Sequence, residues 1–200
     1  MGLRVIAGEL KGRALWAPAG QETRPTAARV KESLFSILGD RVKVPWVLDL
    51  YAGSGALAIE ALSRGSQRAV LVEKSRKAQA AIRRNVAACN LQTRLFLLCA
   101  DVLRVLAEPW QSWARVLPAE TMAQDARFGL VFLDPPYALD VLGPVLEHLA
   151  AGQYLESGAM VVAEHSRHQG LSPPPGFALL RQSRYGETMV SFFCFEGETH

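Results

Sequence analysis

The chain of 200 residues is long enough for one domain with a small addition, and half of its residues are hydrophobic, as is typical of a globular protein. No apolar run approaches the roughly 18 residues that a membrane span needs, and the first residues do not resemble a secretory signal. The three cysteines are widely spaced and indicate neither a disulfide framework nor a metal site. We therefore expect a cytoplasmic protein with no membrane partner and no bound metal.

The net charge of +3 is concentrated near the N-terminus. Residues 1–43 carry eight Lys and Arg against four Asp and Glu, a net charge of +4, whereas the rest of the chain carries 14 basic and 15 acidic residues. Such a segment can bind the phosphates of a nucleic acid, although charge alone is equally compatible with a solvated surface. The candidate RNA contacts are Arg4, Lys11, Arg13, Arg24, Arg29 and Lys31.

The first 43 residues predict a hairpin followed by a helix. Residues 4–15 alternate between apolar and polar side chains and contain two glycines, which favours a short β-hairpin. Residues 23–39 place Val30, Leu34 and Leu38 on one helical face, with Thr26 as the expected N-terminal cap. We interpret residues 1–43 as a small basic appendage to a main domain that spans residues 44–200.

Beyond residue 43, short apolar strands alternate with helices. The predicted strands are 47–51, 69–73, 94–100, 129–134 and 159–165, and the predicted helices are 56–65, 75–90 and 141–152. This alternation indicates an α/β, doubly wound, Rossmann-like fold, with a mostly parallel sheet and helices on both faces. Ligands of such sheets bind beyond the carboxyl ends of the strands, where the strand order reverses.

Two segments depart from this alternation. Residues 104–127, with Trp110 and Trp113, are longer than a usual connection and predict a surface helix or excursion packed by the tryptophans. Residues 177–183 and 188–195 predict an antiparallel hairpin that closes the sheet.

A glycine loop follows the first strand of the main domain. Asp49 lies in that strand, and Gly53, Ser54 and Gly55 come directly before a helix. Glycines at this point let a ligand approach the backbone, and a helix N-terminus offers free N–H groups. Glu73, at the end of the second strand, is placed to bind ribose hydroxyls, and Asp101, after the third, is placed to reach an adenine. Together these features predict a site for a nucleoside cofactor.

The carboxylate of Asp49 discriminates between two such cofactors. It would repel the pyrophosphate of NAD, whereas it would favour the positively charged amino and sulfonium groups of S-adenosylmethionine. We therefore expect S-adenosylmethionine, and an NAD-dependent oxidoreductase is disfavoured.

The segment Asp134-Pro135-Pro136-Tyr137 ends the fourth strand of the main domain. An exocyclic amine is a poor nucleophile because its lone pair is delocalised into the ring. Asp134 and a backbone carbonyl of the stiff proline segment can accept hydrogen bonds from both amine protons, which localises the lone pair and directs it at the methyl group. Tyr137 can stack on the planar base. These four residues are the predicted catalytic residues.

The chain resembles a known family at motifs that span most of its length. The motifs are LDLYAGSGALAIEALSRG, LVEKS, CADVL and LDPPY, preceded by RVIAGELKGRAL and TRPTAARVKESLFSIL and followed by RYGETMVSFF. This set resembles the bacterial 16S rRNA guanine-N2 methyltransferases of the RsmD family, which are class I S-adenosylmethionine-dependent enzymes. The segment 104–127 is longer than the connection expected in that family.

The resemblance implies a seven-stranded sheet, an RNA-facing N-terminal hairpin, and methylation of one guanine of 16S rRNA in an assembled small-subunit particle. We also expect the protein to be a monomer. The resemblance implies that Asp134 to Tyr137 hold the guanine. It places Arg24, Thr26 and Arg29 near the cofactor carboxylate or the RNA backbone. The implied cofactor-binding residues are Asp49, Gly53, Ser54, Gly55, Glu73, Lys74, Asp101, Val102 and Thr26.

Several alternatives remain open from the sequence. Adenine-N6 methyltransferases of nucleic acids share the D-P-P-Y segment, and protein glutamine methyltransferases favour asparagine where this chain has Asp134. A non-catalytic RNA-binding module could retain a vestigial methyltransferase sheet. Such a module would have no need for the glycine loop, Glu73 and Asp134, all of which are present in this chain.

Overall fold

The computed structural model describes residues 2–18, 25–109, 112–113, 117, 127–136, 141–169 and 172–197, with the backbone alone for residues 25–27. The helices in this part of the chain are α1 (Pro25–Leu38), α2 (Ala56–Ser63), α3 (Arg76–Ala88), α4 (Val102–Leu106) and α5 (Leu142–Ala151), and a 3-10 turn, Gly39–Val42, follows α1. The strands are β1 (Trp46–Leu50), β2 (Arg68–Val72), β3 (Leu95–Leu98), β4 (Phe128–Leu133), β5 (Leu155–Ser166), β6 (Phe177–Tyr185) and β7 (Thr188–Phe195).

These strands form one sheet in the order β3-β2-β1-β4-β5-β7-β6. Strands β1 to β5 pair in parallel, and the hairpin of β6 and β7 joins β5 in the antiparallel sense. The predicted seven-stranded, mostly parallel sheet with a C-terminal antiparallel hairpin is confirmed. The strand order reverses between β1 and β4. In open sheets of this kind the ligand crevice lies beyond the carboxyl ends of the strands at such a reversal.

Alternating strand residues divide the core into two layers. On one face of the sheet, Leu48 and Val131 pack with apolar residues of α4 and α5. On the other face, Val47 and Leu130 pack with apolar residues of α1, α2 and α3. Because successive strand residues point to opposite faces, each parallel strand is apolar on both sides, as a sheet covered by helices requires. The doubly wound architecture is thereby confirmed.

Two predicted boundaries are wrong. Helix α1 begins at Pro25, so Thr26 lies within its first turn and is not the cap. Proline suits the first helical position, because a backbone N–H at that position would have no partner within the helix. Strand β5 begins at Leu155 rather than at 159, because Leu155 pairs with Phe128 across a register shift that the apolar pattern does not reveal.

The N-terminal segment turns back on itself as predicted. A single antiparallel bridge joins Arg4 to Ala14, and the Val5 N–H donates to the Arg13 carbonyl at 3.0 Å. Val5 and Leu15 are buried in the same cluster as α1 and α2. The proposed division between residues 43 and 44 remains a prediction.

The tryptophan-containing segment is described only in part. Its first turn is α4, and the Trp113 side chain is buried, stacks on Tyr154 at 5.0 Å and donates to the Val105 carbonyl at 3.2 Å. The predicted packing role therefore holds for Trp113. Trp110 lies outside the described residues.

Candidate active site

The loop between β1 and α2 has a backbone that suits glycine. Gly53 and Gly55 have φ values of 56° and 75°, in the left-handed region where other residues are strained. A Cβ atom on Gly55 would also lie 3.0 Å from the Leu71 side chain. Asn85 on α3 donates to the Ser54 carbonyl at 2.9 Å and so ties the loop to the next helix. The loop is thus held in one conformation close to the sheet.

Asp49 lies beneath this loop. Its carboxylate is 1% exposed and accepts a hydrogen bond from the Ala58 N–H in the first turn of α2 at 3.2 Å. Burial raises the pKa of Asp49 to about 7, although the Ala58 hydrogen bond acts to lower it, and the charge of Glu73 raises it further. The side chain therefore fastens the loop to α2 from inside. Because the Asp49 carboxylate is buried, its charge would act on a ligand in the crevice at a distance and not by direct contact.

Acidic side chains also follow the next two strands. Glu73, after β2, accepts hydrogen bonds from the Gly53 N–H at 2.9 Å and the Ser75 N–H at 2.7 Å. Each carboxylate oxygen can accept a second hydrogen bond, so Glu73 joins the glycine loop to a position where a ribose hydroxyl could bind.

Asp101, after β3, caps α4 and forms an ion pair with Lys74 at 3.1 Å. Burial acts to raise the pKa of Asp101, but the Lys74 ammonium and backbone N–H groups outweigh it, and the pKa lies below its usual value. Val102 follows as a buried residue of α4. The third strand thus ends in a carboxylate that remains ionised at neutral pH.

Asp134 stands at the end of β4, beside the end of β1. Its N–H points at the Leu50 carbonyl, 3.5 Å away, and so continues the line of hydrogen bonds between the two strands. Pro135 is buried and Pro136 is exposed. Solvent reaches the Asp134 side chain, yet protein surrounds the carboxyl group on most sides. This desolvation, followed by the charges of Glu164 and Asp49, raises the pKa of Asp134 well above its usual value.

The crevice contains one carboxylate, that of Glu164, which the sequence pattern does not indicate. Glu164 lies near the end of β5, a strand parallel to β4, and is half-buried. In the sequence, Glu164 lies at the end of an apolar run that predicts a buried strand. Only the register of β4 against β5 shows that Glu164 lies beside Asp134.

The candidate RNA contacts differ in exposure. Arg4, Lys11, Arg13 and Arg29 are exposed, as a contact to RNA requires. Arg24 and Tyr137 lie outside the described residues, as does the side chain of Thr26.

The expectation for Lys31 is corrected. Its side chain is 7% exposed, forms an ion pair with the buried Glu60 at 3.1 Å and donates to the Arg4 carbonyl at 2.8 Å. Burial lowers the pKa of Lys31, while Glu60 opposes this effect. A lysine held in this way cannot also bind RNA phosphate, so its role is to attach the N-terminal segment.

Glu60, on α2, is a second residue whose role the sequence pattern does not predict. It is fully buried and accepts hydrogen bonds from Ile6 N–H, Ala7 N–H and the Arg64 side chain, in addition to the Lys31 ion pair. Since a buried carboxylate needs partners on all sides, this arrangement holds the N-terminal segment against α2, close to the glycine loop. The position of Glu60 as the only charged residue of the apolar helix α2 is the sequence feature that could have indicated this buried role.

The chemistry of the crevice fits one kind of cofactor. Asp49 lies within β1, one residue before its end, Glu73 and Asp134 directly follow β2 and β4, and Asp101 lies between β3 and α4, whereas the Lys74 ammonium is engaged by Asp101. An acidic crevice attracts the cationic sulfonium and amino groups of S-adenosylmethionine and repels a pyrophosphate. Within the described residues, no three His, Cys, Asp or Glu side chains are grouped as metal ligands.

Comparison with known proteins agrees with this assignment. YlbH of Bacillus subtilis, named as a candidate rRNA methyltransferase, is 38% identical over 192 residues, which cover 96% of this chain and 98% of YlbH. Ribosomal RNA small subunit methyltransferase D of Escherichia coli is 29% identical over 201 residues, with 98% and 91% covered. The solved structure of Escherichia coli YhhF, described as a candidate methyltransferase, superposes with a TM-score of 0.82 at 26% identity and covers 99% of this chain and 100% of its own.

The sheet, its glycine loop and the acidic crevice define a class I methyltransferase that uses S-adenosylmethionine. The family described as Conserved hypothetical protein 95 matches residues 3–194. The chain belongs to this family, and it is a methyltransferase of the RsmD type.

Proposed function

We propose that this protein transfers a methyl group from S-adenosylmethionine to the exocyclic N2 amine of a guanine in 16S rRNA. The names of its relatives support rRNA as the substrate, and the small subunit is named for the relatives from Escherichia coli and Haemophilus influenzae. The carboxylate at the end of β4 supports an amine as the methyl acceptor. Guanine-N2 is the finer assignment, which rests on the resemblance of the sequence motifs to guanine-N2 methyltransferases.

The cofactor residues have separate roles in this proposal. Gly53, Ser54 and Gly55 accommodate the methionine end, because their backbone leaves room for close approach. Glu73 receives the ribose hydroxyls, while Asp101 and Val102 border the adenine and Lys74 holds Asp101. Asp49 keeps the loop in place through Ala58. Thr26 and Arg24 remain proposals from the sequence.

Asp134 and the proline carbonyl act on the acceptor amine. When bound, S-adenosylmethionine supplies an electrophilic methyl group. Asp134 and the Pro135 carbonyl accept hydrogen bonds from the two amine protons, so that the nitrogen lone pair points into the cofactor side of the crevice. After transfer the nitrogen must lose a proton, and Asp134 can accept it because its raised pKa makes the carboxylate more basic. Tyr137 would stack on the guanine ring.

The exposed basic residues of the N-terminal segment provide the surface for RNA. Arg4, Lys11, Arg13 and Arg29 are exposed, and the Glu60 hydrogen bonds hold the segment that carries the first three against α2. Phosphate contacts of this kind position the nucleic acid without specifying the base. We propose an assembled small-subunit particle as the substrate and a monomeric enzyme.

The observation that carries the proposal is the position of Asp134. It lies beside the end of β1, and the loop that directly follows β1 contains Gly53. To test it, small-subunit particles from cells that lack the gene are incubated with the purified protein and methyl-labelled S-adenosylmethionine, and the rRNA is digested to nucleosides. Label in N2-methylguanosine supports the proposal. Label in N6-methyladenosine would favour the adenine alternative, and no label would favour a non-catalytic RNA-binding module.

A further inference from the structure

Two carboxylates stand side by side at the ends of adjacent parallel strands. Leu133 of β4 is paired with Ala163 of β5, so the next residues, Asp134 and Glu164, occupy neighbouring positions. Parallel strands lie about 4.8 Å apart, which brings both side chains within reach of one edge of a planar base.

Glu164 and Asp134 also share a face of the sheet. Val162 packs in the layer of α1 and α2, whereas Ala163 packs in the layer of α4 and α5. Since side chains alternate, Glu164 points to the same side as Val162, and Asp134 to the same side as Phe132, which also packs in the layer of α1 and α2. The charge of Glu164 contributes to the raised pKa of Asp134, which is consistent with this proximity.

We propose that Glu164 accepts a hydrogen bond from the N1–H of the target guanine and thereby selects guanine over purines that lack this proton. This inference rests on the proposed function, because it requires a guanine amine at Asp134. The Watson–Crick edge of guanine carries two adjacent donors, N1–H and the N2 amine, and two adjacent acceptors complement them. Adenine presents an N1 lone pair instead, which a carboxylate repels.

The test compares two target bases that share the N2 amine. Small-subunit particles are reconstituted with either guanosine or 2-aminopurine riboside at the methylated position; 2-aminopurine keeps the amine but has a lone pair at N1. The specificity constant kcat/KM is measured on both substrates for wild type and for Glu164→Gln. The amide that this substitution introduces can donate a hydrogen bond to the N1 lone pair of 2-aminopurine. Because both enzymes meet the same pair of bases, the missing 6-oxygen of 2-aminopurine affects both alike.

We expect the wild type to prefer guanine by at least about 100-fold and Glu164→Gln to reduce this preference at least about tenfold, with the affinity for S-adenosylmethionine unchanged. Glu164→Asp should restore part of the preference. Glu156→Gln serves as the matched control, because Glu156 lies on the same strand near its amino end, far from the crevice, and should keep the wild-type ratio.

The outcomes separate the inference from the proposed function. If the wild type methylates guanine N2 and Glu164→Gln slows both substrates equally, Glu164 has a structural role only and the inference is overturned while the function stands. If the wild type fails to methylate guanine N2 at all, both are overturned.

Discussion

Asp134 combines exposure to the crevice with a raised pKa, which suits a group that holds an amine and later accepts its proton. We expect Asp134→Ala to lower kcat at least about 100-fold, because the amine would lose the acceptor that directs its lone pair. Binding of S-adenosylmethionine, measured by calorimetry, should stay within about threefold of wild type, since Asp134 is not assigned to the cofactor. Normal methyl transfer by this variant would show that the role given to Asp134 is wrong.

Asp49 makes the stability of the protein dependent on pH. Its pKa is about 7 in the folded protein against 3.8 ordinarily, so the folded state favours the protonated form. The associated stability is present below about pH 4 and is lost as the pH rises through 7. Asp49→Asn keeps the hydrogen bond to Ala58 and removes the charge. Relative to this variant, the wild type should lose roughly 2–4 kcal/mol of unfolding free energy between pH 4 and pH 8.

Urea unfolding at several pH values measures this difference. Asp40→Asn is the control, because the exposed Asp40 pairs with Lys43, which lowers the pKa of Asp40, so that its replacement should leave the profile between pH 4 and pH 8 nearly unchanged. A constant difference between wild type and Asp49→Asn from pH 4 to pH 8 would contradict the account.

A close approach of backbone to backbone also attaches the N-terminal segment, beside the contacts of Glu60 and Lys31. Gly8 lies against the end of α2, where an added Cβ would be 1.7 Å from the Ser63 carbonyl oxygen. Gly12 has a similar φ, 86° against 82°, but a Cβ there would meet nothing within 4 Å. The two glycines therefore separate the cost of backbone conformation from the cost of the contact.

Gly8→Ala should destabilise the protein about 2 kcal/mol more than Gly12→Ala, because both incur the left-handed strain and only the first displaces the segment. Thermal unfolding measures the difference, and hydrogen exchange at the Ile6 and Ala7 amides, which bond Glu60, should accelerate in Gly8→Ala alone. Equal behaviour of the two variants would mean that the segment is not held at Gly8.

The strands and helices of the main domain were largely predictable, because β1 to β4 are mostly apolar segments of four to six residues and the helices keep a regular apolar spacing. The ends were less predictable. The cap assigned to Thr26 failed because Pro25 starts the helix, and the early start of β5 depends on pairing across a register shift.

The position of the candidate site could be predicted where a short sequence motif marks it, as the glycine loop and the D-P-P-Y segment that contains Asp134 do. Glu60, Glu164 and the burial of Lys31 were not predictable in this way. Their roles arise from contacts between elements distant in the chain, such as Glu60 with Ile6 and Glu164 beside Asp134, and no local spacing encodes such contacts.

At the level of the whole protein, the positive excess lies on residues 1–43, and three exposed cations of the N-terminal hairpin are proposed to bind RNA phosphates. Replacing Arg4, Lys11 and Arg13 by Ala should weaken binding to small-subunit particles. It should also reduce the slope of log K against log salt by about 2–3, since each phosphate contact contributes about 0.7–0.9.

The control replaces three exposed cations of α3, Arg76, Lys77 and Arg83. This variant removes the same charge and should retain most of the salt slope. If the two triple variants lose RNA binding to the same extent, net charge alone accounts for the interaction and the N-terminal hairpin has no special role.

We propose that this protein methylates a guanine of 16S rRNA at N2. Mass spectrometry of 16S rRNA nucleosides from cells that lack the gene, and from the same cells complemented with wild type or Asp134→Ala, tests it directly. We expect one N2-methylguanosine to be lost in the deletion strain, restored by wild type and not restored by Asp134→Ala. Unchanged N2-methylguanosine in the deletion strain would contradict it.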